Sequence, residues 1–373
     1  MAPAHPPVNP SPAGRNTPLD GLRGFAVLLV FCVHAAGNAS IICWGLDLEH
    51  EGLATLADPS RQLLFWLWRS HHGVFLFFVL SGYLIGRLWW PSVRMPYAAF
   101  AWRRTLRIYP AFLVTFAASL LFSWQGATWT PPDVPRIVGN LLFLNGVESL
   151  HVVPFNLVTW SLFYEMTFYL AFPLAVVALR AAQVRGGIAV WAIGLASPVA
   201  AALLGASAIV LCWSLLFVGV ALAVHEDALV AFARRLPTAA VLAAYLGVTT
   251  FALFDYANPI AVILAFGGAA LLVVAKCLAA PNALASVLSA TPLLLLGRVS
   301  YSFYLVHWMV VVLVARAVAA FGPALPPLAG TVAIFAGGFV LSAVAAALLW
   351  WSAERPYFAW AHAAKPRPAQ AAA

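Results

Sequence analysis

Charge is what this chain has least of. Only 9% of its 373 residues are Asp, Glu, Lys or Arg, against 64% hydrophobic residues and a mean hydropathy of +0.93. A soluble domain carries roughly 25% charge, so the composition excludes an ordinary soluble fold and points to an integral membrane protein. The alternating ten-residue strands of a membrane barrel are missing as well. Cysteine is scarce: Cys32, Cys43, Cys212 and Cys277 are scattered, three of them in apolar runs, with no disulfide or zinc spacing. No metal is expected. GxGxxG, P-loop and GxSxG patterns are absent, and His50-Glu51 has no second histidine at HExxH spacing. Rossmann, ATP-hydrolysing and zincin chemistry are therefore not signalled. The net charge of +8 gathers at helix ends, which argues against nucleic acid.

What is present is a series of apolar stretches about 18–25 residues long, suited to helices crossing a hydrocarbon core of roughly 30 Å. They predict an all-α, polytopic protein with about ten spans: 19–37, 73–90, 107–124, 158–180, 187–204, 207–225, 237–254, 258–277, 293–319 and 328–351. The connections 38–72 and 125–157 are long enough for short interfacial helices. With the N-terminus in the cytoplasm, only Arg61, Arg69, Arg136 and Arg316 of the 20 basic residues fall outside. The positive-inside rule thus supports an even span count and cytoplasmic termini. The expected organisation is a Pro-rich tail over 1–18, a membrane domain over 19–356 and an Ala/Pro-rich tail over 357–373. The first tail lacks the apolar run of a signal peptide. Arginine far outnumbers lysine, which occurs only as Lys276 and Lys365. Together with abundant alanine, this suggests a GC-rich bacterial genome and the plasma (inner) membrane.

Ionisable side chains are costly in hydrocarbon and seldom sit there without a partner or a task. His34 lies 12 residues past Leu22, roughly 18 Å from the cytoplasmic edge and 12 Å from the outer one at the helical rise. Ser81 and Glu165, on spans entering from outside, lie roughly 12 and 10 Å deep, and His307 lies roughly 9 Å below the outer edge. Four spans thus carry polar groups to one depth, as a shared site in the outer half would require. Asp20, Arg23 and His34 also share one face of the first helix, within about 40° at 100° per residue. The simpler readings are a satisfied core histidine for His34, an ion-pair partner for Glu165, an interfacial aromatic-belt pair for His307-Trp308 and a small-residue helix contact for Ser81-Gly82.

A basic entrance precedes the third span, with Arg87, Arg94, Arg103, Arg104 and Arg107. Positive-inside topology alone would explain it. Arg104 and Arg107, however, are three apart and so share a helix face, next to Trp102 and Tyr109. Planar guanidinium forks suit phosphate, and neighbouring aromatics suit a stacked base. Glu354-Arg355-Pro356 reads as an exit signal with an ion pair.

Six segments in order resemble the membrane acyltransferase family 3: LDGLRGFAVLLVFCVH (19–34), GVFLFFVLSGYLI (73–85), RRTLRIYP (103–110), WSLFYEMTFYL (160–170), LGRVSYSFYLVHW (296–308) and ERP (354–356). The resemblance implies acyl transfer from cytoplasmic acyl-CoA, acetyl-CoA first among the donors. The acceptor would be a hydroxyl of a glycan, a lipid or a secondary metabolite such as a macrolide. It places the family histidine on His34, the glutamate on Glu165 and the RxxR pair on Arg104 and Arg107. His34 and Glu165 become the expected catalytic pair, the glutamate orienting a histidine that serves as general base or transient acyl carrier. Arg103, Arg104, Arg107, Arg23 and Asp20 would bind the donor, with Ser81, Trp160, Tyr301 and His307 lining the site. Two departures stand out: many members carry acids where this chain has Phe75 and Met166. The competing class is a transporter or flippase of a lipid-linked sugar, since intramembrane His and Glu also suit proton relays.

Overall fold

The computed structural model describes residues 16–48, 56, 58–69, 72–89, 96–124, 133–181, 186–203, 208–254, 259–321 and 325–363. Tail residues 1–15 and 364–373, His50, Glu51 and Arg94 lie outside these. The described residues contain no strand, and the chain forms α1 (Thr17–Trp44), α2 (Pro59–Trp68), α3 (His72–Trp89), α4 (Tyr97–Trp124), α5 (Val134–Leu141), α6 (Trp160–Ala181), α7 (Gly186–Leu203) and α8 (Ala208–Val224). There follow α9 (Glu226–Arg235), α10 (Thr238–Phe254), α11 (Pro259–Leu278), α12 (Ala283–Leu288), α13 (Thr291–Arg298), α14 (Ser300–Phe321), α15 (Pro327–Leu349), a π-turn (Trp350–Glu354) and α16 (Arg355–Ala363).

The architecture is an all-α, polytopic membrane bundle. Among the described residues seven helical stretches are long and apolar enough to cross a membrane, or eight if α8 and α9, bent by 91°, count as one. Each of the ten expected segments falls on helix among the described residues, although α7 and α10 contribute only shorter apolar lengths. One expected span is divided. Residues 293–319 are not one helix but α13 and α14, separated at Val299. Both long connections do carry short helices, α2 and α5. Residues 357–363, expected as tail, belong to α16, where the Tyr357 hydroxyl donates to the Arg103 carbonyl at 2.9 Å.

Local chemistry explains the ends of α1. The Asn16 side chain accepts from the Leu19 N–H at 3.3 Å, Pro18 occupies the first turn, and Gly45 ends the helix at φ 61°. That is an N-cap followed by a left-handed C-terminal glycine. At 1.5 Å per residue a helix of this length spans about 40 Å, more than the hydrocarbon core.

Close packing then sets the helices around α1 and α3. A Cβ on Gly297 would lie 1.9 Å from the Asp20 carbonyl oxygen, so α13 meets α1 backbone to backbone. A Cβ on Gly82 would lie 1.9 Å from Leu216 O, and one on Gly219 2.0 Å from Val79 O, so α3 and α8 also meet there. Small residues permit such approaches in a membrane, where close van der Waals packing replaces the hydrophobic effect between helices. Farther along α1, Phe31 makes edge contacts with Phe303 of α14 (6.0 Å) and with Phe335 and Phe339 of α15 (6.2 and 5.7 Å). One turn on, His34 lies beside His307, with ring centroids 5.2 Å apart. α1 and α14 therefore run parallel, and their rings pair rung by rung.

Candidate active site

α1, α3, α4, α6 and α14 enclose a cavity of about 140 Å³. Its polar lining is Arg23, Ser81, Arg104, Arg107, Ser161 and Glu165, joined by Tyr169, Ser300, Tyr301 and Tyr304. Phe77, Phe78, Leu84 and Ile85 are among its apolar walls. By water-sized volume the space holds on the order of ten waters.

Glu165 is the hub on the α6 side. Its Oε1 accepts from the Ser81 hydroxyl at 2.9 Å and from the Tyr169 hydroxyl one turn along the same helix. The ring of Tyr169 in turn lies under Arg104, whose guanidinium carbon stands 5.2 Å from its centroid and 5.3 Å from that of Phe100. A linked series, Ser81–Glu165–Tyr169–Arg104, thus crosses three helices. Cation–π contact of this kind contributes about 0.5–2 kcal/mol.

Arg107 is held differently. It forms an ion pair with Glu354, whose side chain is 1% exposed. Glu354 Oε1 also accepts from the Ser302 amide at 3.0 Å and from the Ser302 hydroxyl. The Arg107 guanidinium lies 4.5 Å from the Phe358 centroid and 5.6 Å from that of Tyr301. Within α4, Pro110 lacks the N–H that would serve the preceding turn; close by, the Tyr301 hydroxyl donates to the Ile108 carbonyl at 2.8 Å.

α14 carries a polar stripe away from these arginines at three-residue spacing: Tyr301, Tyr304, His307. The Tyr304 hydroxyl donates to the Val158 carbonyl at 2.5 Å and stands 2.7 Å from Ser161 Oγ. His307 is completely buried and lies outside the cavity lining. Its Nδ1 is 2.8 Å from the Tyr304 carbonyl and 3.1 Å from that of Phe303. A carbonyl only accepts, so Nδ1 carries the proton and the neutral ring keeps its lone pair on Nε2. Phe303 stacks on the ring at 10° and 6.0 Å.

The structure brings Arg23, Ser81, Arg104, Arg107, Glu165 and Tyr301 into one cavity. His34 pairs with His307 instead, is only partly buried and does not line the cavity. Asp20 stays in the first turn of α1, and Arg103 contributes its carbonyl to Tyr357. Trp160 starts α6 and packs edge-on against Tyr164 at 5.7 Å, outside the lining. Ser81 and Gly82 divide the two readings of their position: the serine faces Glu165 while the glycine makes the helix contact. Sequence reasoning missed Tyr169, Tyr304 and the partner of Glu354. The first two were available in principle, at i+4 from Glu165 and i+3 from Tyr301. Glu354 was expected in an exit ion pair; its partner is Arg107, 247 residues away.

Residues 16–351 match a family described as an acyltransferase domain. Over 172 residues the chain is 31% identical to the acyltransferase MdmB of Streptomyces mycarofaciens, a stretch covering 45% of this chain and 41% of that relative. The match therefore spans about two-fifths of the relative's length. No solved structure matches. With the family match running through every element that builds the cavity, the chain belongs to the acyltransferase-domain family.

Proposed function

We propose that this protein is an integral-membrane O-acyltransferase of the bacterial inner membrane. It takes an acyl group, acetyl first, from cytoplasmic acyl-CoA and transfers it to a hydroxyl of a glycan, lipid or secondary metabolite. The observation that carries the reading is the convergence of Arg23, Arg104 and Arg107 with the Ser81–Glu165 pair in one cavity. Arg23 lies near the start of α1, and Ser300 and Tyr301 begin α14. With the N-terminus inside, this end of the bundle meets the cytoplasm, where acyl-CoA is found. Arg104, held between the rings of Phe100 and Tyr169, presents a phosphate-binding fork. Arg107 contributes less, since Glu354 already offsets its charge. The small volume suits a short acyl thioester better than a fatty chain.

His34 serves as general base at the far end of the stripe on α14. It accepts the acceptor's hydroxyl proton as that oxygen attacks the thioester carbonyl. The C–S bond breaks, and the departing CoA thiolate takes the proton back from the imidazolium. Glu165 acts at the donor end rather than beside His34: through Tyr169 it steadies Arg104. This changes the role expected for it from sequence, which was to orient the histidine.

The test is release of free CoA from radiolabelled acetyl-CoA by the purified full chain in detergent, with a panel of hydroxyl acceptors. We expect release by the native protein and loss in His34→Ala. If CoA never appears with any acceptor while a lipid-linked sugar crosses liposomes carrying the protein, the transporter reading wins. Incubation with labelled donor alone separates base from covalent carrier, because only the carrier form leaves label on His34.

A further inference from the structure

α1 and α3 each line two spaces. Arg23 and Phe77 line the cavity already described, while their chain neighbours Leu22 and Leu76 line another, of about 340 Å³. This second cavity is bounded by α1, α3 and α10 to α13, with Trp66 of α2, and shares no lining residue with the first. Its surface is almost wholly carbon. The Thr249 hydroxyl is spent on the Leu246 carbonyl at 2.7 Å, and the Tyr245 hydroxyl is shielded, so both residues present carbon to the space. A dry apolar cavity of about 150 Å³ already takes a benzene, and this one is more than twice that size. Left empty, it would forfeit the contacts of every group that lines it. Within a bilayer, the apolar material at hand is lipid chain.

Length and position agree with that occupant. Leu22 to Leu29 on α1 and Thr238 to Thr249 on α10 cover about 10 and 16 Å at the helical rise. Half of a hydrocarbon core is about 15 Å, so the cavity has the depth of one leaflet. Leu242 and Leu246 of its α10 wall are 38% and 52% exposed, which leaves that side accessible from the surrounding hydrocarbon. Three contacts put the start of α10 at the end of the bundle where α1 begins. A Cβ on Gly21 would lie 1.6 Å from the Leu288 carbonyl oxygen, so α12 abuts α1. Asn282, which caps α12, donates to the Lys276 carbonyl at 2.8 Å, and the Lys276 ammonium donates to the Leu236 carbonyl at 2.6 Å. Lys276 is thus committed to backbone. Arg234 and Arg235, in the last turn of α9, are exposed and form no ion pair among the described residues. Arg235 stands three residues before Thr238, within about 11 Å of the cavity's first α10 residue even for an extended chain.

We propose that this cavity holds one acyl chain of an anionic phospholipid, whose phosphate sits on Arg234 and Arg235. The lipid comes from the leaflet on the side where α1 begins, which is the cytoplasmic one if the N-terminus is inside. The chain fills the carbon-lined space and the headgroup stays at its mouth, where basic side chains attract anionic lipid. The lipid braces α1 and α3 from behind the arginine cavity. The site is independent of the acyl-transfer reading.

The test uses the full chain purified in dodecyl maltoside and stripped of lipid. It is titrated with dioleoyl phosphatidylglycerol and, in parallel, with dioleoyl phosphatidylcholine, which has the same chains and no net charge. Native mass spectrometry counts retained lipid, and tryptophan fluorescence on heating reads stability. We expect one phosphatidylglycerol retained per chain, a higher melting point with it, and weaker binding of phosphatidylcholine. Arg234→Gln with Arg235→Gln should weaken phosphatidylglycerol binding about 25-fold, about fivefold for each charge, and erase the preference between the two lipids. Leu242→Trp and Leu246→Trp, which fill the cavity, should each abolish both the retained lipid and the melting response. A phosphatidylglycerol with a diazirine at the chain end should label peptides carrying Leu29 or Thr249. Equal binding of the two lipids, lipid retention unchanged by both cavity-filling substitutions, or label confined to other helices overturns the proposal. If the tryptophan variants do not fold, the exposed arginine pair decides: a preference for phosphatidylglycerol that survives its loss overturns the proposal as well.

Discussion

Glu354→Gln is the substitution whose consequence follows most directly from the geometry. The native carboxylate is almost completely enclosed, ion-paired to Arg107 and doubly bonded to Ser302. The amide keeps the shape and one acceptor oxygen. It removes the charge that offsets a guanidinium only 17% exposed, and it turns N–H donors toward N–H donors. Breaking one member of a buried pair costs about 3–5 kcal/mol, because the other is left uncompensated. In a chain of this size, about 1 kcal/mol corresponds to roughly 2 °C or a little more, so the melting point should fall by roughly 6–12 °C. Tryptophan fluorescence during heating of the detergent-purified chain reads this directly. The pairing makes a further demand: replacing both partners by apolar residues, as in Arg107→Met with Glu354→Leu, should recover most of the loss, with a coupling of at least about 2 kcal/mol. A Glu354→Gln chain as stable as the native one, or strictly additive effects in the double variant, would refute the claim that Arg107 is chiefly a clamp on the last helix. The same variant bears on the proposed donor site. Freed of its counter-charge, Arg107 should bind CoA at least as tightly as before, which calorimetry on the folded fraction at low temperature measures.

Four other outcomes follow. Arg104→Ala should raise KM for acetyl-CoA at least tenfold in steady-state assays, and Arg104→Lys should not restore it, because an ammonium lacks the planar fork that lies on Phe100 and Tyr169. Tyr169→Phe keeps the ring but drops the hydroxyl to Glu165; its main effect should be a KM increase of a few-fold with kcat nearly intact. Gly219→Val should abolish recovery of monodisperse protein on size exclusion, since even a Cβ there falls 2.0 Å from the Val79 carbonyl oxygen. Lys276→Met should lower the melting point by several degrees: the buried ammonium caps α9 through the carbonyls of Ala233 (3.0 Å) and Leu236 (2.6 Å), and charged donors at a helix C-terminus are stabilising.

Periodicity and length made the helices legible, because a membrane forces backbone hydrogen bonds inside each segment. Depth made part of the site legible too. Counting residues from the membrane edges put Ser81 and Glu165 at one level, and they are bonded; it also put His34 with His307, and their rings adjoin. Counting along single helices says nothing, however, about which pairs share a wall. The four groups form two couples rather than one quartet, and only the first couple lines the cavity. The break at Val299 was hidden because α13 and α14 are both apolar. Two residues before the break Gly297 meets the α1 backbone, a tertiary contact with no local signature. The partner of Glu354 was hidden for the same reason. An acid beside Arg355 invites a local pairing, but the π-turn over Trp350–Glu354 carries it into the bundle toward Arg107. Such turns are frequent where a helix must re-aim a functional side chain.

The separation of the two couples is itself informative about the reaction. On the proposed reading, a thioester donor and a hydroxyl acceptor meet without hydrolysis only if water is kept from the carbonyl until the acceptor arrives. The cavity at the arginine end is walled by Phe77, Phe78, Leu84 and Ile85, and its polar groups are largely occupied with one another: Ser81 and Tyr169 with Glu165, Tyr304 with Val158, Tyr301 with Ile108. The hydroxyls among them are committed as donors, and the Glu165 carboxylate already accepts two of them through Oε1. The imidazole of His34 stands outside that lining, beyond Tyr304 and beside His307. A base placed there serves a hydroxyl approaching from the other side of the bundle better than a water trapped with the donor. The expected signature is a low ratio of acetyl-CoA hydrolysis to transfer in the native chain. Widening the barrier with Tyr304→Ala should raise that ratio several-fold, and hydrolysis unchanged in Tyr304→Ala would show that the donor cavity and the histidine pair are not kept apart by this wall.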